Sequence, residues 1–204
     1  MGWLESLLFE HCCVLCGGPT TTSPCSSCLA PTPVLDVQSP PLLSHIFVAY
    51  PYDSPAGDLI RISKSNRERA PLKRLCTAVA HALGPALQRH EFDAIVPVPS
   101  HWRRQIWRGF NTPDLLAEEL ALQLNCEPLH VLTNRASSAQ KGRDRLDRRK
   151  HAQQRFYCTA TVKDARLLLV DDITTTGATL AVCASELLGS GASRVSALTL
   201  CAVS

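Results

Sequence analysis

The chain has 204 residues, of which 45% are apolar and 19% charged, with a formal net charge of +3. That balance suits one domain of ordinary size with a small appendage and excludes bulk disorder. The charge is too slight to name a partner, and no apolar run approaches the ~20 residues of a membrane-spanning helix.

The opening MGWLESLLFEHCC has no basic stretch and carries Glu5 and Glu10, so it does not read as an export signal. A myristoylation pattern starting at Gly2 is formally present but too short to weigh. The chain holds 10 cysteines. Without an export signal they imply a reducing, cytoplasmic setting rather than a disulfide framework. Cys76, Cys126, Cys158, Cys183 and Cys201 stand singly and read as small buried hydrophobes.

The others crowd into 12–28, where CVLCGGPTTTSPCSSC contains two Cys-x-x-Cys pairs, Cys13/Cys16 and Cys25/Cys28. Each pair can turn two thiolates toward one point, and two pairs complete a tetrahedral metal site. Gly17 and Gly18 allow the tight turn such a knuckle needs. Four thiolates leave no open coordination position, so the expected metal, zinc, is structural. A redox dithiol is the alternative; Cys12 could shift the register, and His11 is a weaker substitute ligand.

Residues 30–43, APTPVLDVQSPPLL, read as a linker. The expected division is a knuckle with its linker over 1–43 and a main domain over 44–204. SHIFVAYPY predicts a strand at about 45–50, stopped by Pro51. A helix follows over roughly 70–90, interrupted or ended near Gly84 and Pro85. FDAIVPVPS is a short buried strand ending at Pro97 to Pro99, and the basic, aromatic HWRRQIWRGFN comes after it. Thr112 then caps a helix, with Pro113 at its first position and Asp114 at its positive end. Ala117, Leu120, Ala121 and Leu124 form its buried face.

LHVLTN (129–134) predicts another strand. Segment 135–155 has eight Lys/Arg against two Asp, a local charge of +6 that leaves −3 for the rest of the chain. It reads as a basic lid or as a solvated surface loop. RLLLV is a strand. Leu180, Cys183, Ala184, Leu187 and Leu188 mark an amphipathic helix ended by Gly189 and Gly191, and RVSALTLCAV is the last strand. The alternation predicts an α/β fold: a mostly parallel sheet flanked by helices, with right-handed crossovers.

The stretch LLLVDDITTTGATL carries the chemistry. Ligands of open α/β sheets sit at the carboxyl ends of strands. Asp171 and Asp172, the catalytic candidates, offer acceptors to a diol or, through waters, an anchor for Mg²⁺. The run Thr174, Thr175, Thr176, Gly177, Ala178, Thr179 leads into a helix start, where backbone amides form an anion nest. A ribose 5-phosphate has that shape. A solvated Asp pair before a Thr-capped helix is the plainer alternative.

VDDITTTGAT resembles the phosphoribosyl pyrophosphate (PRPP) motif of type I phosphoribosyltransferases. With the Cys₄ knuckle, VPVPSHWRRQIWRGFN, Gln140, Arg148 and Phe156, nearly the whole chain resembles the ComF/GntX family, linked to competence and use of external DNA. The resemblance implies a type I phosphoribosyltransferase fold, a cytoplasmic location, and action on or with PRPP, Mg²⁺ and single-stranded DNA. It implies that Asp171 and Asp172 hold the ribose hydroxyls and that 174–179 hold the 5-phosphate. It also implies that the turn at Ser100 and His101 meets pyrophosphate and that Arg108, Gly109, Phe110 and Asn111 are the family's RGFN. Where that family often has Asn, this chain has His151. Lys64, in DLIRISKSNRERA, matches the family's lysine-bearing segment. Arg103, Arg104 and Arg108 are candidates to neutralise pyrophosphate. Trp102 and Trp107, interleaved with these arginines, suit base stacking, with Arg148 and Arg149 as further nucleic-acid candidates; for Trp107 and Phe110 a place in the core is the favoured reading. Three functions follow: a phosphoribosyltransferase, a PRPP-sensing module that binds single-stranded DNA, or an interaction protein whose knuckle docks a helicase-like partner.

Overall fold

The computed structural model describes residues 12–13, 15–21, 24–30, 42–134 and 156–203. Gln140, Arg148, Arg149, His151 and the basic 135–155 segment lie outside the described residues, as does most of the linker.

Five strands build one parallel sheet: β1 (Ile46–Pro51), β2 (Ala94–Pro97), β3 (Glu127–Pro128), β6 (Arg166–Thr174) and β7 (Arg194–Ala202), in the order β1-β7-β6-β2-β3. β4 (Leu132–Asn134) and β5 (Phe156–Cys158) pair separately and antiparallel. A short helix α1 (Ser26–Leu29) belongs to the knuckle. Between β1 and β2 run α2 (Pro55–Asn66) and α3 (Arg69–Leu87), the latter continued by a 3₁₀ turn at Gln88–His90. Then come α4 (Trp102–Arg108), α5 (Thr112–Leu124) and α6 (Ala178–Gly189).

The period of two along β6 separates two cores. Leu168 and Val170 face one side, where Leu59, Leu72, Leu75 and Leu116 of α2, α3 and α5 cover the sheet. Leu167 and Leu169 face the other, under Leu180, Cys183 and Leu187 of α6 and Phe156 of β5. The expected parallel sheet with helices on both faces is therefore present. At the base, Arg166 forks onto Asp93, Nη2 to Oδ1 at 2.8 Å and Nε to Oδ2 at 3.1 Å, and reaches Glu91 Oε2 at 2.7 Å. That pins the start of β6 beside the entry to β2, at the end of the sheet opposite Asp171.

Several boundaries differ from expectation. The helix predicted over 70–90 is not broken at Pro85: Pro85 and His81 are both exposed, so the His81 carbonyl that loses its donor faces solvent. Thr112 is the first helical residue and Asn111 occupies the cap, its side chain committed elsewhere. The strand expected over 129–134 is confined to Leu132–Asn134, because Leu129 N donates to Ile95 O and continues the edge of the main sheet. β6 does not stop at Val170: β7 is long enough to pair with it as far as Thr174. Helix α2 has no counterpart among the predicted elements.

Candidate functional site

The cleft arises from unequal strand lengths. β2 ends at Pro97, and Val98 N still donates to Val170 O at 2.9 Å before the chain leaves the sheet. β6 continues for four more residues beside β7. β2 connects through α4 and α5 to β3 on one side, whereas β6 connects through α6 to β7 on the other. Neighbouring strands whose connections diverge leave a crevice at their carboxyl ends. It measures about 160 Å³ and brings Val98, Pro99, Ser100, His101, Arg104 and Arg108 opposite Asp171, Asp172 and Thr179, with Lys64, Asn134 and Phe156 completing the wall.

Because they belong to a strand, Asp171 and Asp172 leave it on opposite faces. Asp172 points toward α2 and forms an ion pair with Lys64, both side chains largely buried (17% and 15% exposed). Asp171 shares the parity of Leu167 and Leu169 and lies on the α6 side. Its Oδ1 accepts from Asp172 N at 2.8 Å. Burial, then the neighbouring Asp172 charge, pushes the Asp171 carboxyl up to about 8, against the pull of the Asp172 amide and Lys64.

Arg108 crosses the same space. Burial, reinforced by Arg104, pushes its guanidinium down while Asp172 pulls it up. Its Nε is buried and has no hydrogen-bond partner among the described residues. A guanidinium keeps its charge regardless, so this donor lacks an acceptor.

On the far side, Gly177 takes φ 71° at the cap of α6, and no side chain closes that helix start. The cap residue itself, a glycine, offers no side-chain acceptor to the first N–H groups. Ala178 N donates to Thr176 Oγ1 at 3.4 Å. Thr175, Thr176, Ala178 and Thr179 are exposed, but of 174–179 only Thr179 lines the cleft itself; Thr174 is still strand. Arg103 and Trp102 also stand outside it: Arg103 lies over the Trp102 ring at 5.3 Å. Phe110 is a core residue as expected. Trp107 is not: it is 50% exposed, with Arg67 stacked on its ring at 4.3 Å.

Three cleft residues stand outside the sequence candidates. Val98 and Pro99 follow directly from the VPVPS stretch. Asn134, brought in by the β4–β5 hairpin, carried no local signal.

The four knuckle cysteines place their sulfurs within 4.8 Å of one another, with Cys16 Sγ and Cys25 Sγ 3.9 Å apart. A tetrahedral zinc with bonds of ~2.3 Å needs sulfurs ~3.8 Å apart. Leu15 N and Cys25 N approach Cys13 Sγ at 3.4 and 3.3 Å, donors that favour a thiolate. Gly17 turns with φ 69°, and Gly17 N donates to Cys13 O at 2.9 Å. The cluster can hold a structural metal such as zinc. Cys12, instead, bridges Pro19 and is exposed. Among the described residues no helix is long and apolar enough to cross a membrane.

No protein-family model matches the chain. It is 34% identical over 199 residues to the DNA utilization protein YhgH of Escherichia coli K12, covering 93% of this chain and 83% of that protein. The chain belongs to the ComF family. Within that family it is also 29% identical over 164 residues to competence protein F of Haemophilus influenzae, covering 76% of this chain and 68% of that one. Among solved structures, a purine phosphoribosyltransferase from Pyrococcus horikoshii superposes with a TM-score of 0.43 at 18% identity, over 62% of the ComF-family chain and 73% of its own. The glutamine PRPP amidotransferase of Bacillus subtilis gives a TM-score of 0.43 at 17% identity, over 61% and 26%.

Proposed function

We propose that this ComF-family protein binds PRPP in the cleft and transfers its phosphoribosyl group to an acceptor. The observation that carries this is the meeting, in one crevice, of an acidic pair, Thr179 in the first turn of α6 and an arginine-bearing turn. Asp171 and Asp172 accept from the ribose hydroxyls. The 174–179 loop and the first amides of α6 hold the 5-phosphate. Ser100, His101, Arg104 and Arg108 receive the pyrophosphate, and the unpartnered Arg108 Nε gains its acceptor there. In the reaction the bond from the anomeric carbon to pyrophosphate breaks, its electron pair leaving with the pyrophosphate, and the acceptor's lone pair forms the new bond and sheds its proton. The two carboxylates are hard oxygen donors that fit Mg²⁺ through waters, and a bound ion would neutralise the leaving group's charge. Cys13, Cys16, Cys25 and Cys28 would hold zinc, which with four thiolates would serve structure rather than chemistry.

The test is calorimetric titration of PRPP in magnesium buffer. Asp171→Asn/Asp172→Asn should weaken binding by about a hundredfold, since the acidic pair's charge and half of its acceptor oxygens are lost; an unchanged affinity rejects the site. Pyrophosphate release across a panel of bases and nucleosides tests turnover. Tight binding with no release from any acceptor selects the sensing module instead.

Single-stranded nucleic acid is the second ligand proposed. Trp102 and Trp107 are 49% and 50% exposed beside Arg67, Arg103 and Arg104, a stacking surface flanked by positive charge. The names of the relatives concern DNA utilization and competence. Affinity for an oligonucleotide should fall with salt and weaken on Trp102→Ala. A salt-insensitive or absent shift removes this ligand.

A further inference from the structure

Two asparagines from different elements converge on the turn that leads out of β2. Asn111, only 4% exposed, donates from Nδ2 to Val98 O at 3.3 Å and to Asp114 Oδ1 at 3.0 Å. Its Oδ1 accepts from Ser100 Oγ at 2.5 Å. Asn134, on the β4–β5 hairpin, donates from Nδ2 to Pro99 O at 3.3 Å. Val98 N is itself spent on Val170 O. Three consecutive residues, Val98, Pro99 and Ser100, are thus each held by a side-chain amide, and all three line the cleft.

A turn that faces a polyanion has a particular problem. Its carbonyl oxygens repel the ligand unless they are turned away or already engaged, and a loop free to rotate its peptide planes loses part of any binding energy to ordering. Engaging the Val98 and Pro99 carbonyls addresses both. It removes two acceptors from the wall and fixes the peptide planes before a ligand arrives. Asn111 is held in its turn by Asp114, in the first turn of α5. This explains why the Asn111 side chain does not cap α5, although its residue occupies the cap position.

We propose that Asn111 and Asn134 are positioning residues for the diphosphate half of the cleft: they hold the Val98–Ser100 turn in the conformation that accepts a pyrophosphate group. The inference rests on the proposed PRPP site and assigns the two residues to only one end of it. The 5-phosphate end, at the start of α6, lies across the cleft from the turn. A positioning role therefore predicts a split between the two ends, which general destabilisation would not produce.

The experiment uses the full chain and two probes, inorganic pyrophosphate and ribose 5-phosphate, each titrated by calorimetry in magnesium buffer, with thermal melts alongside. Asn134→Ala sits on a partly exposed hairpin and serves as the main variant; Asn111→Ala, in a buried position, is the stronger one if it folds. Asn134→Ala should weaken pyrophosphate about tenfold, the consequence of one freed acceptor on the cleft wall and a loosened turn, and leave ribose 5-phosphate affinity unchanged. Equal weakening of both probes, or no weakening of pyrophosphate, overturns the proposal. If the unaltered protein binds neither probe, the PRPP site itself falls, a result distinct from either of these.

Discussion

Asp171 is under opposing demands. In the proposed site it meets sugar hydroxyls, yet burial and the adjacent Asp172 push its carboxyl up to about 8. In an unfolded chain the same group titrates near ~3.9. Between those values the folded form holds a proton that the unfolded form has released. The folded state is therefore progressively disfavoured as pH rises from about 4 to about 8. Asparagine has the same shape and no such titration. Asp171→Asn should raise the melting temperature of the unliganded protein by a few degrees at pH 8 and by less at pH 5, while weakening PRPP binding about tenfold. Melts of both proteins across that range check it; a gap that does not widen with pH would show that Asp171 is not held in this way. The exchange of stability for a strained site is what places of chemistry commonly display.

At the level of elements, legibility followed period and punctuation. The 3.6-residue pattern of α5 and α6 stood in the sequence, and Ala117, Leu120, Leu180, Cys183 and Leu187 are all fully buried. The sequence places the two carboxylates near the sheet's carboxyl edge but does not mark the strand end, because its extent depends on β7 as a partner rather than on local residues. Helix α2 was missed although Ala56, Leu59, Ile60 and Ser63 repeat at helical spacing behind a Ser-Pro start. Two of its inward positions are Gly57 and Ser63, which do not register as apolar. Gly57 is there for space. A Cβ would lie 1.9 Å from the Tyr52 carbonyl oxygen, a backbone atom that cannot step aside cheaply. Gly57→Ala should cost roughly 2 kcal/mol and displace the helix that carries Lys64 to Asp172. Denaturant melts give the first quantity and PRPP titration the second. A variant as stable as the parent would mean that the β1–α2 turn relaxes freely.

Across the whole molecule, α2 is the part through which distant features meet. At its C-terminal end Lys64 reaches the acidic pair, and Arg67, its left-handed cap, stacks on Trp107 of α4. Along its length it touches α1 of the knuckle, and Leu15 of the knuckle packs against the same core as Leu59 and Ile60. A knuckle this small has little apolar interior of its own, so its order would depend on a metal held by the four cysteines. Once ordered, it braces the helix that sets one wall of the cleft. Loss of metal should therefore reach the main domain. Cys25→Ser should release about one equivalent of zinc, lower the melting temperature by several degrees in a single transition, and weaken PRPP binding severalfold even though no ligand touches the knuckle. Metal content, calorimetric melting and PRPP titration on the same preparation separate these effects. Zinc loss with an unmoved melting point and unchanged affinity would make the knuckle an independent appendage, free to serve a partner instead of the cleft.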